Sequence, residues 1–256
     1  MRQDARGLWS GSEQHVGSRL VELGNFSFKY RGYLLPIAVL LFVLPSPRLL
    51  PDPALAGWLG FLIAVIGQAV RVGTVGLAYI IRGGKDHRVY AEELVTAGLY
   101  SHVRNPMYFG NFFLLLGLAV ATNSWLFALV GVPLSLGMHK SIVAAEENFL
   151  RNKFGAQFDD YCKRVPRWVP RFAGLGHTLS GMEFQWRRVV RKEYAAGFDW
   201  FSATALVVLI NLWRSDLLDD RVVLTALMAL VIGVRVVLFL AARQMNKAPT
   251  AAAGAR

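Results

Sequence analysis

The sequence predicts an all-α, polytopic membrane protein, and three observations support that fold class. Hydrophobic residues make up 54% of the 256 residues and charged residues only 18%, with a mean hydropathy of +0.38. This composition suits a bilayer better than a water-solvated globule. Apolar runs long enough to cross about 30 Å of hydrocarbon give six candidate spans. Lys and Arg residues gather on one side of those runs.

The candidate spans predict a bundle of about six transmembrane helices. They cover residues 33–50, 54–81, 106–122, 125–138, 198–213 and 222–242. The first contains three prolines, which remove backbone donors and favour bends, and we expect it to form a hairpin with the second. Glycines in the second and third spans let helices approach closely in lipid. The fourth has only about fourteen apolar residues, but its helical pattern continues toward Phe154, so we expect a longer helix there.

The distribution of positive charge predicts the orientation. Both termini and the connections on their side carry 23 of the 28 Lys and Arg residues, whereas the opposite connections carry three. Positive residues are retained on the cytoplasmic side, so both termini should be cytoplasmic. The same placement explains most of the net charge of +11, and we expect no nucleic-acid partner. Arg outnumbers Lys by 21 to 7, which favours a GC-rich bacterial genome and hence a bacterial inner membrane.

Cysteine and histidine usage excludes several classes of site. The single cysteine, Cys162, rules out an internal disulfide framework and any multi-cysteine metal centre. The five histidines are scattered without metal-ligand spacing, so we predict no metal site. The first thirty residues carry charges without an apolar core, so they do not form a cleavable signal peptide.

Polar residues on the cytoplasmic side concentrate in two stretches, and the first precedes the third span. Asn105 is a good N-cap, and Pro106 suits the first helical position because its missing N–H would have had no partner. The N–H groups of that helix start, with Arg104 one residue before the cap, suit a carboxylate or phosphate. The alternative is a snorkelling arginine at an ordinary helix start, with Tyr100 and Tyr108 as interfacial aromatic residues.

The second stretch carries Glu146 and Glu147 on the helix that continues from the fourth span. Neighbouring helical positions point about 100° apart, so the two carboxylates cannot share one face, and at least one should look into protein. The alternative for Glu147 is an i,i+4 pair with Arg151. Residues 154–161 and 165–170 predict an amphipathic surface segment whose aromatic side chains lie at the headgroup level.

This ordered set of motifs resembles the membrane methyltransferases grouped with isoprenylcysteine carboxyl methyltransferase and the phospholipid N-methyltransferases. The matching positions are Gly98, Tyr100, the run from Arg104 to Gly110, Glu146 and Glu147, Phe154 and Gly155, Tyr161, Arg167 and Pro170. The resemblance is strong from about residue 95 to 171 and weaker back to about 57. In the family, a histidine usually stands where this chain has Asn105, so no imidazole titration is expected there. His102 is an alternative nearby ring, or a structural histidine.

The resemblance implies S-adenosylmethionine as methyl donor, bound at the cytoplasmic end of the bundle, and a lipid-like or prenyl-type acceptor that enters from the bilayer. It implies a cofactor-binding set of Tyr100, His102, Arg104, Asn105, Pro106, Tyr108, Glu146 and Glu147. The residues that it implies for catalysis are Arg104, Glu147 and Arg167. A zwitterionic, sulfonium-bearing donor needs cationic or N–H groups for its carboxylate and acidic or aromatic groups for its cations. Arg71 and Arg167 are also candidates to pair with an anionic acceptor.

Two other functions stay open from the sequence: a membrane NADPH-dependent reductase of the sterol-reductase type, and a non-catalytic membrane protein. The Glu146 and Glu147 pair argues against the first, and the clustering of polar residues on one side argues against the second. The domain prediction has five segments. They are a cytoplasmic N-terminal segment (1–32), a membrane methyltransferase core (33–172), a basic amphipathic linker (173–197), a C-terminal transmembrane hairpin (198–243) and a disordered tail (244–256). We expect the hairpin to pack against lipid or to form a homodimer contact, with substrate gating as the alternative.

Overall fold

The structure, a computed structural model, is mostly helical and describes residues 19–30, 41, 44–77, 82–85, 88–91, 93–218 and 220–247. The helices are α1 (residues 19–30), α2 (Pro53–Leu77), α3 (Pro106–Thr122), α4 (Val132–Phe154), α5 (Ala156–Arg164), α6 (Leu175–Ser180), α7 (Trp186–Arg214) and α8 (Arg221–Lys247). Strands β1 (Arg82–Lys85) and β2 (Arg88–Ala91) form an antiparallel hairpin that the sequence analysis did not predict. A 3₁₀ turn covers Gly98–Ser101, and a π-helical turn covers Phe127–Gly131 immediately before α4.

The helices confirm part of the predicted set of spans. Helix α2 and the helix Phe127–Phe154 are long and apolar enough to cross a membrane, and Pro106–Thr122 and Arg221–Val234 are shorter apolar helices. The arrangement of six spans and its orientation stay predictions. Most of the first predicted span lies outside the described residues, but residues 44–50 are not helical, so its final part is wrong. Pro45 and Pro47 explain this, because proline cannot donate the backbone hydrogen bond that a helix needs.

Helix α7 begins twelve residues before the predicted fifth span and runs through the boundary predicted at residue 197 without a break. The apolar run begins at Phe198, which is why the predicted span starts there. The preceding residues, from Trp186, include five charged side chains but no proline, and a helix needs good helix formers rather than apolar ones. Helix α8 likewise extends to Lys247, four residues into the predicted tail, whereas residues 248–256 lie outside the described residues.

The chain divides into two compact units whose segments alternate along the sequence. The first unit comprises Met1–Pro45, Ile80–Asn105 and Leu126–Phe172, and the second comprises Ser46–Tyr79, Pro106–Trp125 and Ala173–Arg256. Helices α1, α4 and α5 and the β hairpin therefore belong to the first unit. Helices α2, α3, α6, α7 and α8 belong to the second.

Close packing of α2 against α3 organises the second unit. A Cβ atom added at Gly60 would lie 2.5 Å from the carbonyl oxygen of Gly117, and one added at Gly67 would lie 2.7 Å from that of Gly110. Only glycine leaves room for backbones at this distance. In lipid, where burying apolar surface gives no driving force, close van der Waals packing replaces it. The structure confirms that these glycines serve helix contact.

In the same unit, two asparagine side chains bind backbone groups at or near the C-terminal end of α3. Asn123, just after α3, donates from Nδ2 to the carbonyl oxygen of Leu50 at 3.0 Å and accepts from the N–H of Leu50 at 2.7 Å. Asn211 on α7 donates to the carbonyl oxygens of Ala121 and Thr122. These bonds satisfy backbone groups at a helix end and in the proline-rich segment, which regular secondary structure leaves without partners.

The first unit has its core where α4 and α5 meet. Phe158 and Tyr161 are buried together with Ala91, Leu150 and Val165. The prediction that these two aromatic residues lie at the headgroup level is therefore wrong. Gly155, which has a φ of 52°, separates α4 from α5 and lets the short second helix turn its apolar face onto the first.

The packing of α2 on α3 gives a direct prediction. We expect Gly60→Ala to lower the melting temperature in detergent, at a cost of about 1–3 kcal/mol, because its Cβ would meet backbone atoms that cannot move aside. Gly73→Ala, in the same helix, is the matched control, since nothing lies within 4 Å of the added Cβ. That variant should keep or slightly raise the melting temperature. Equal melting temperatures for the two variants would contradict the packing described here.

Candidate functional site

The loop before α3 lies beside the segment that follows α5. The N–H of Arg104 donates to the carbonyl oxygen of Pro166 at 2.8 Å, and the N–H of Arg171 donates to the carbonyl oxygen of His102 at 2.9 Å. The His102 ring adds a contact of 2.6 Å between Nδ1 and the carbonyl oxygen of Arg171. Tyr161 on α5 donates its hydroxyl to the carbonyl oxygen of Tyr100 at 2.7 Å. The two segments, more than sixty residues apart, are thus tied together through their backbones.

This arrangement gathers four side chains, the Glu147 cluster, which consists of Arg104, Asn105, Glu147 and Arg167. Glu147 on α4 is 6% exposed. Its Oε1 accepts from Arg104 Nη1 at 3.3 Å, from Asn105 Nδ2 at 3.4 Å and from Arg167 Nε at 3.1 Å. Its Oε2 lies 3.0 Å from Arg167 Nη2. Three separate stretches of sequence therefore meet at one carboxylate.

Helix geometry explains why Glu147 and not Glu146 holds this position. Val143, Glu147 and Leu150 are spaced by four and three residues, so they share one buried face of α4, whereas Glu146 is half-buried at the neighbouring position. The prediction that at least one carboxylate faces protein is confirmed for Glu147. The alternative pair of Glu147 with Arg151 is wrong, since Arg151 Nε donates to Asp159 Oδ1 at 2.8 Å across the α4 to α5 turn.

The Glu147 cluster contains two guanidinium groups for one carboxylate, so positive charge is in excess. The side chains of Arg104 and Glu147 are 17% and 8% exposed, which strengthens their electrostatic interactions relative to water. In the part of the chain that the structure describes, Arg104 Nε is buried without a hydrogen-bond partner. Asn105 Nδ2 also donates to the carbonyl oxygen of Arg167 at 3.3 Å. The cluster is therefore a preorganised set of donors with unused capacity for an anion.

Cys162 joins this site, which the sequence analysis did not foresee. Arg104 Nη1 donates to its Sγ atom at 3.2 Å. Burial raises the pKa of the Cys162 thiol above its ordinary value, and this exceeds the opposing effect of Arg104. The thiol is therefore neutral near pH 7. Its place in the sequence, one residue after the motif tyrosine Tyr161, is the signal that could have found it. Within the described ranges, no group of three or more His, Cys, Asp or Glu side chains is placed to hold a metal ion.

The other predicted site residues occupy different surroundings. Tyr100 and His102 are buried in the first unit and carry the backbone contacts described above. Pro106 and Tyr108 lie in the first turn of α3, which does begin at Pro106 as predicted, and they belong to the second unit. Arg71 also belongs to the second unit, where Glu193 Oε2 accepts from its Nη2 at 3.0 Å. Its guanidinium is therefore already neutralised, so the idea that it receives an anionic acceptor is wrong.

Comparisons with known proteins decide the family. A family model described as phospholipid methyltransferase matches residues 56–157. The cobalt-zinc-cadmium resistance protein CzcN of Cupriavidus metallidurans is 31% identical over 180 residues, which cover 68% of this chain and 76% of CzcN. The chain belongs to the phospholipid methyltransferase family. The residues that match the family model include Arg104, Asn105 and Glu147. Arg167 and helices α6 to α8 of this family member lie beyond the matched residues.

Two further relatives resemble the chain over shorter regions. The nickel-cobalt-cadmium resistance protein NccN of Alcaligenes xylosoxydans xylosoxydans is 34% identical over 121 residues, 45% of this chain and 54% of NccN. Protein-S-isoprenylcysteine O-methyltransferase of Schizosaccharomyces pombe is 29% identical over 119 residues, 44% of this chain and 48% of that enzyme. The chain spans about half the length of these two relatives. No solved structure matches it. The resemblance to isoprenylcysteine and phospholipid methyltransferases is confirmed.

The surroundings of Cys162 in this methyltransferase family member predict its reactivity. We expect the rate of maleimide labelling to rise with pH through a midpoint above that of an exposed cysteine, because burial holds the thiol in its neutral form. The matched control places a cysteine at exposed Ser101 in a Cys162→Ser background. The midpoint, unlike the absolute rate, does not depend on steric access. A midpoint at or below that of the control would contradict the assignment.

Proposed function

We propose that this protein transfers a methyl group from S-adenosylmethionine to a lipid-like acceptor at the cytoplasmic membrane face. The observation that carries the proposal is the Glu147 cluster, in which Arg104 and Asn105 both donate to Glu147 and all three residues lie within the family match. The family match favours methyl transfer over the nicotinamide-dependent reductase. The location of the site at the cytoplasmic face and S-adenosylmethionine as the donor are both part of this proposal.

The residues of the first unit fit the donor by charge. S-adenosylmethionine carries a carboxylate, an ammonium group and a sulfonium group, and when bound it supplies the methyl group. The excess guanidinium charge and the buried Nε of Arg104 suit the carboxylate. Glu147, the half-buried Glu146 and the aromatic ring of Tyr100 are candidates for the cations. Pro106, Tyr108 and His102 remain candidates through the family resemblance alone.

We assign the protein a positioning and water-excluding role in the transfer. A methyl group moves by in-line displacement, so alignment of donor and acceptor can supply most of the acceleration without a covalent intermediate on the enzyme. Glu147 holds Arg104 and Arg167 in fixed directions before the donor arrives, which avoids reorganisation during the reaction. Arg167 is the most exposed of the three charged side chains, at 30%, and is our candidate for contact with a polar group of the acceptor.

The class of acceptor follows from the relatives together with the apolar helices. The family description names phospholipids, and a matching relative is named for methylation of an isoprenylcysteine group. Both acceptors join a polar group to long hydrocarbon, which partitions into a bilayer. We propose that the acceptor here has this same architecture.

Donor binding is the first test. Isothermal titration calorimetry of the detergent-solubilised protein should show binding of S-adenosylmethionine, and Arg104→Ala and Glu147→Gln should each weaken it about tenfold or more. A hydrogen bond to a charged group contributes about 1.5–3 kcal/mol, which sets that magnitude. Lys192→Ala, an exposed position on α7, should bind as the wild type does. Absence of binding by the wild-type protein would reject the proposed function.

The same variants identify the acceptor. Membranes that contain the protein are incubated with donor carrying an isotopically labelled methyl group, and mass spectrometry then finds which lipid or prenylated molecule gains the label. Membranes with Lys192→Ala should give the same labelled molecule, and those with Glu147→Gln should give little or none. Label that appears only in soluble molecules would contradict a lipid-like acceptor.

A second proposal concerns the physiological role and rests on the aligned length of CzcN. That relative is named for cobalt, zinc and cadmium resistance, and its alignment covers 68% of this chain, more than the family match does. NccN, named for nickel, cobalt and cadmium resistance, is a second relative of this kind. We propose that methyl transfer by this protein supports growth in the presence of such metals.

Growth assays test this role. In a bacterial strain sensitive to cobalt, zinc and cadmium, expression of the wild-type protein should raise the inhibitory concentration of these metals. Glu147→Gln should lose the effect if it acts through methyl transfer, whereas Lys192→Ala should keep it. Immunoblots of the membrane fraction establish equal amounts of the three proteins. Equal protection by Glu147→Gln, with methyl transfer abolished, would contradict the link between the reaction and metal tolerance.

A further inference from the structure

Four polar side chains meet inside the second unit and are distinct from the residues of the Glu147 cluster. This α2–α3–α7 polar cluster consists of Gln68, Arg71, Asn111 and Glu193. Arg71 Nε and Nη2 donate to the two carboxylate oxygens of Glu193 at 2.5 and 3.0 Å. Arg71 Nη1 donates to Asn111 Oδ1, and Gln68 Nε2 donates to Glu193 Oε1 at 3.3 Å. The side chains of Arg71 and Glu193 are only 9% and 3% exposed.

The cluster lies several residues inside each of the three helices. Arg71 precedes the end of α2 by six residues, Asn111 follows the start of α3 by five, and Glu193 follows the start of α7 by seven. At about 1.5 Å per residue, these positions are about 8–10 Å along each helix. Charged groups at such positions in membrane helices are costly and are usually paired or functional. Removal of one partner would leave the other charge buried without compensation.

Helix α7 approaches α2 closely at this level. A Cβ atom added at Gly197 would lie 2.8 Å from Gln68 Nε2, so the absence of a side chain there makes room for the amide. On the other side, a Cβ atom added at Gly110 would lie 2.7 Å from Arg71 Cγ. Arg71 is therefore enclosed between α3 and α7, and its guanidinium contacts Glu193 on α7 and Asn111 on α3.

We propose that Glu193 is a positioning residue for the start of α3. It orients Arg71, and Arg71 in turn holds Asn111, which lies six residues after Asn105 along the chain. The intervening residues form the continuous first turns of α3, which transmit a displacement without absorbing it. Glu193 lies outside the family-matched residues 56–157. The C-terminal helices thereby gain a role in the orientation of the first turn of α3, which carries the donor candidates Pro106 and Tyr108. The functional part of this inference rests on the function proposed above.

Amide hydrogen exchange tests the positioning role without reference to activity. The measured amides are those of residues 110–115, which close the first turns of α3. In Glu193→Ala they should exchange about tenfold faster than in the wild type, because Arg71 loses the partner that holds it against α3. Glu193→Gln keeps an acceptor oxygen for Arg71 and should give a smaller increase. Lys192→Ala, the exposed neighbour, should leave exchange unchanged. Unchanged exchange in Glu193→Ala would overturn the proposal.

Donor affinity and melting temperature separate positioning from general stability. The double variant Arg71→Met with Glu193→Leu replaces the buried ion pair with apolar side chains and should restore a wild-type melting temperature. Its dissociation constant for S-adenosylmethionine should nevertheless stay raised about fivefold, since Asn111 has lost its contact. Recovery of both quantities would show a purely structural ion pair and overturn the proposal. If the wild-type protein binds no donor, the proposed function fails, and hydrogen exchange alone still decides the positioning role.

Discussion

One buried carboxylate organises the candidate site. Glu147 accepts hydrogen bonds from Arg104, Asn105 and Arg167, which belong to segments that are far apart in the sequence. Without this carboxylate, two partly buried guanidinium groups would lie close together with nothing to compensate their repulsion. The backbone pairing of the loop before α3 with the segment after α5 places the arginines, and Glu147 makes their closeness possible. The carboxylate that holds this region together therefore also fixes the arginines that we propose bind the donor.

The second unit solves a different physical problem. Its helices are largely apolar. In lipid, the hydrophobic effect contributes little to the association of such helices. Gly60 and Gly67 on α2 permit backbone contact with α3, and the ion pair of Arg71 with Glu193 ties α7 to both helices. Glycines allow two helices to approach closely, but they do little to fix the position of one helix along the other, because they have no side chains that interlock. The paired charges provide direction, since their hydrogen bonds are satisfied in only one relative placement of the three helices.

The residues that sequence reasoning placed well are those whose local geometry decides their role. Pro106 begins a helix because of its fixed φ, and Glu147 faces inward because of helical periodicity. Partners were harder to predict: Arg151 pairs with Asp159 across a turn rather than with Glu147 along the helix. Arg71 pairs with Glu193, 122 residues away. Local patterns report which face a residue occupies, whereas long-range partners depend on packing that one sequence does not reveal.

The amide of Asn105 has a consequence of its own. Its Nδ2 carries two hydrogen atoms, and the structure directs them to two acceptors, Glu147 Oε1 at 3.4 Å and the carbonyl oxygen of Arg167 at 3.3 Å. A neutral imidazole has a single N–H group, so a histidine could donate to both acceptors only in its protonated, cationic form. An amide does so while uncharged. The charge of the Asn105 side chain is thus the same across the range of pH in which histidines ionise.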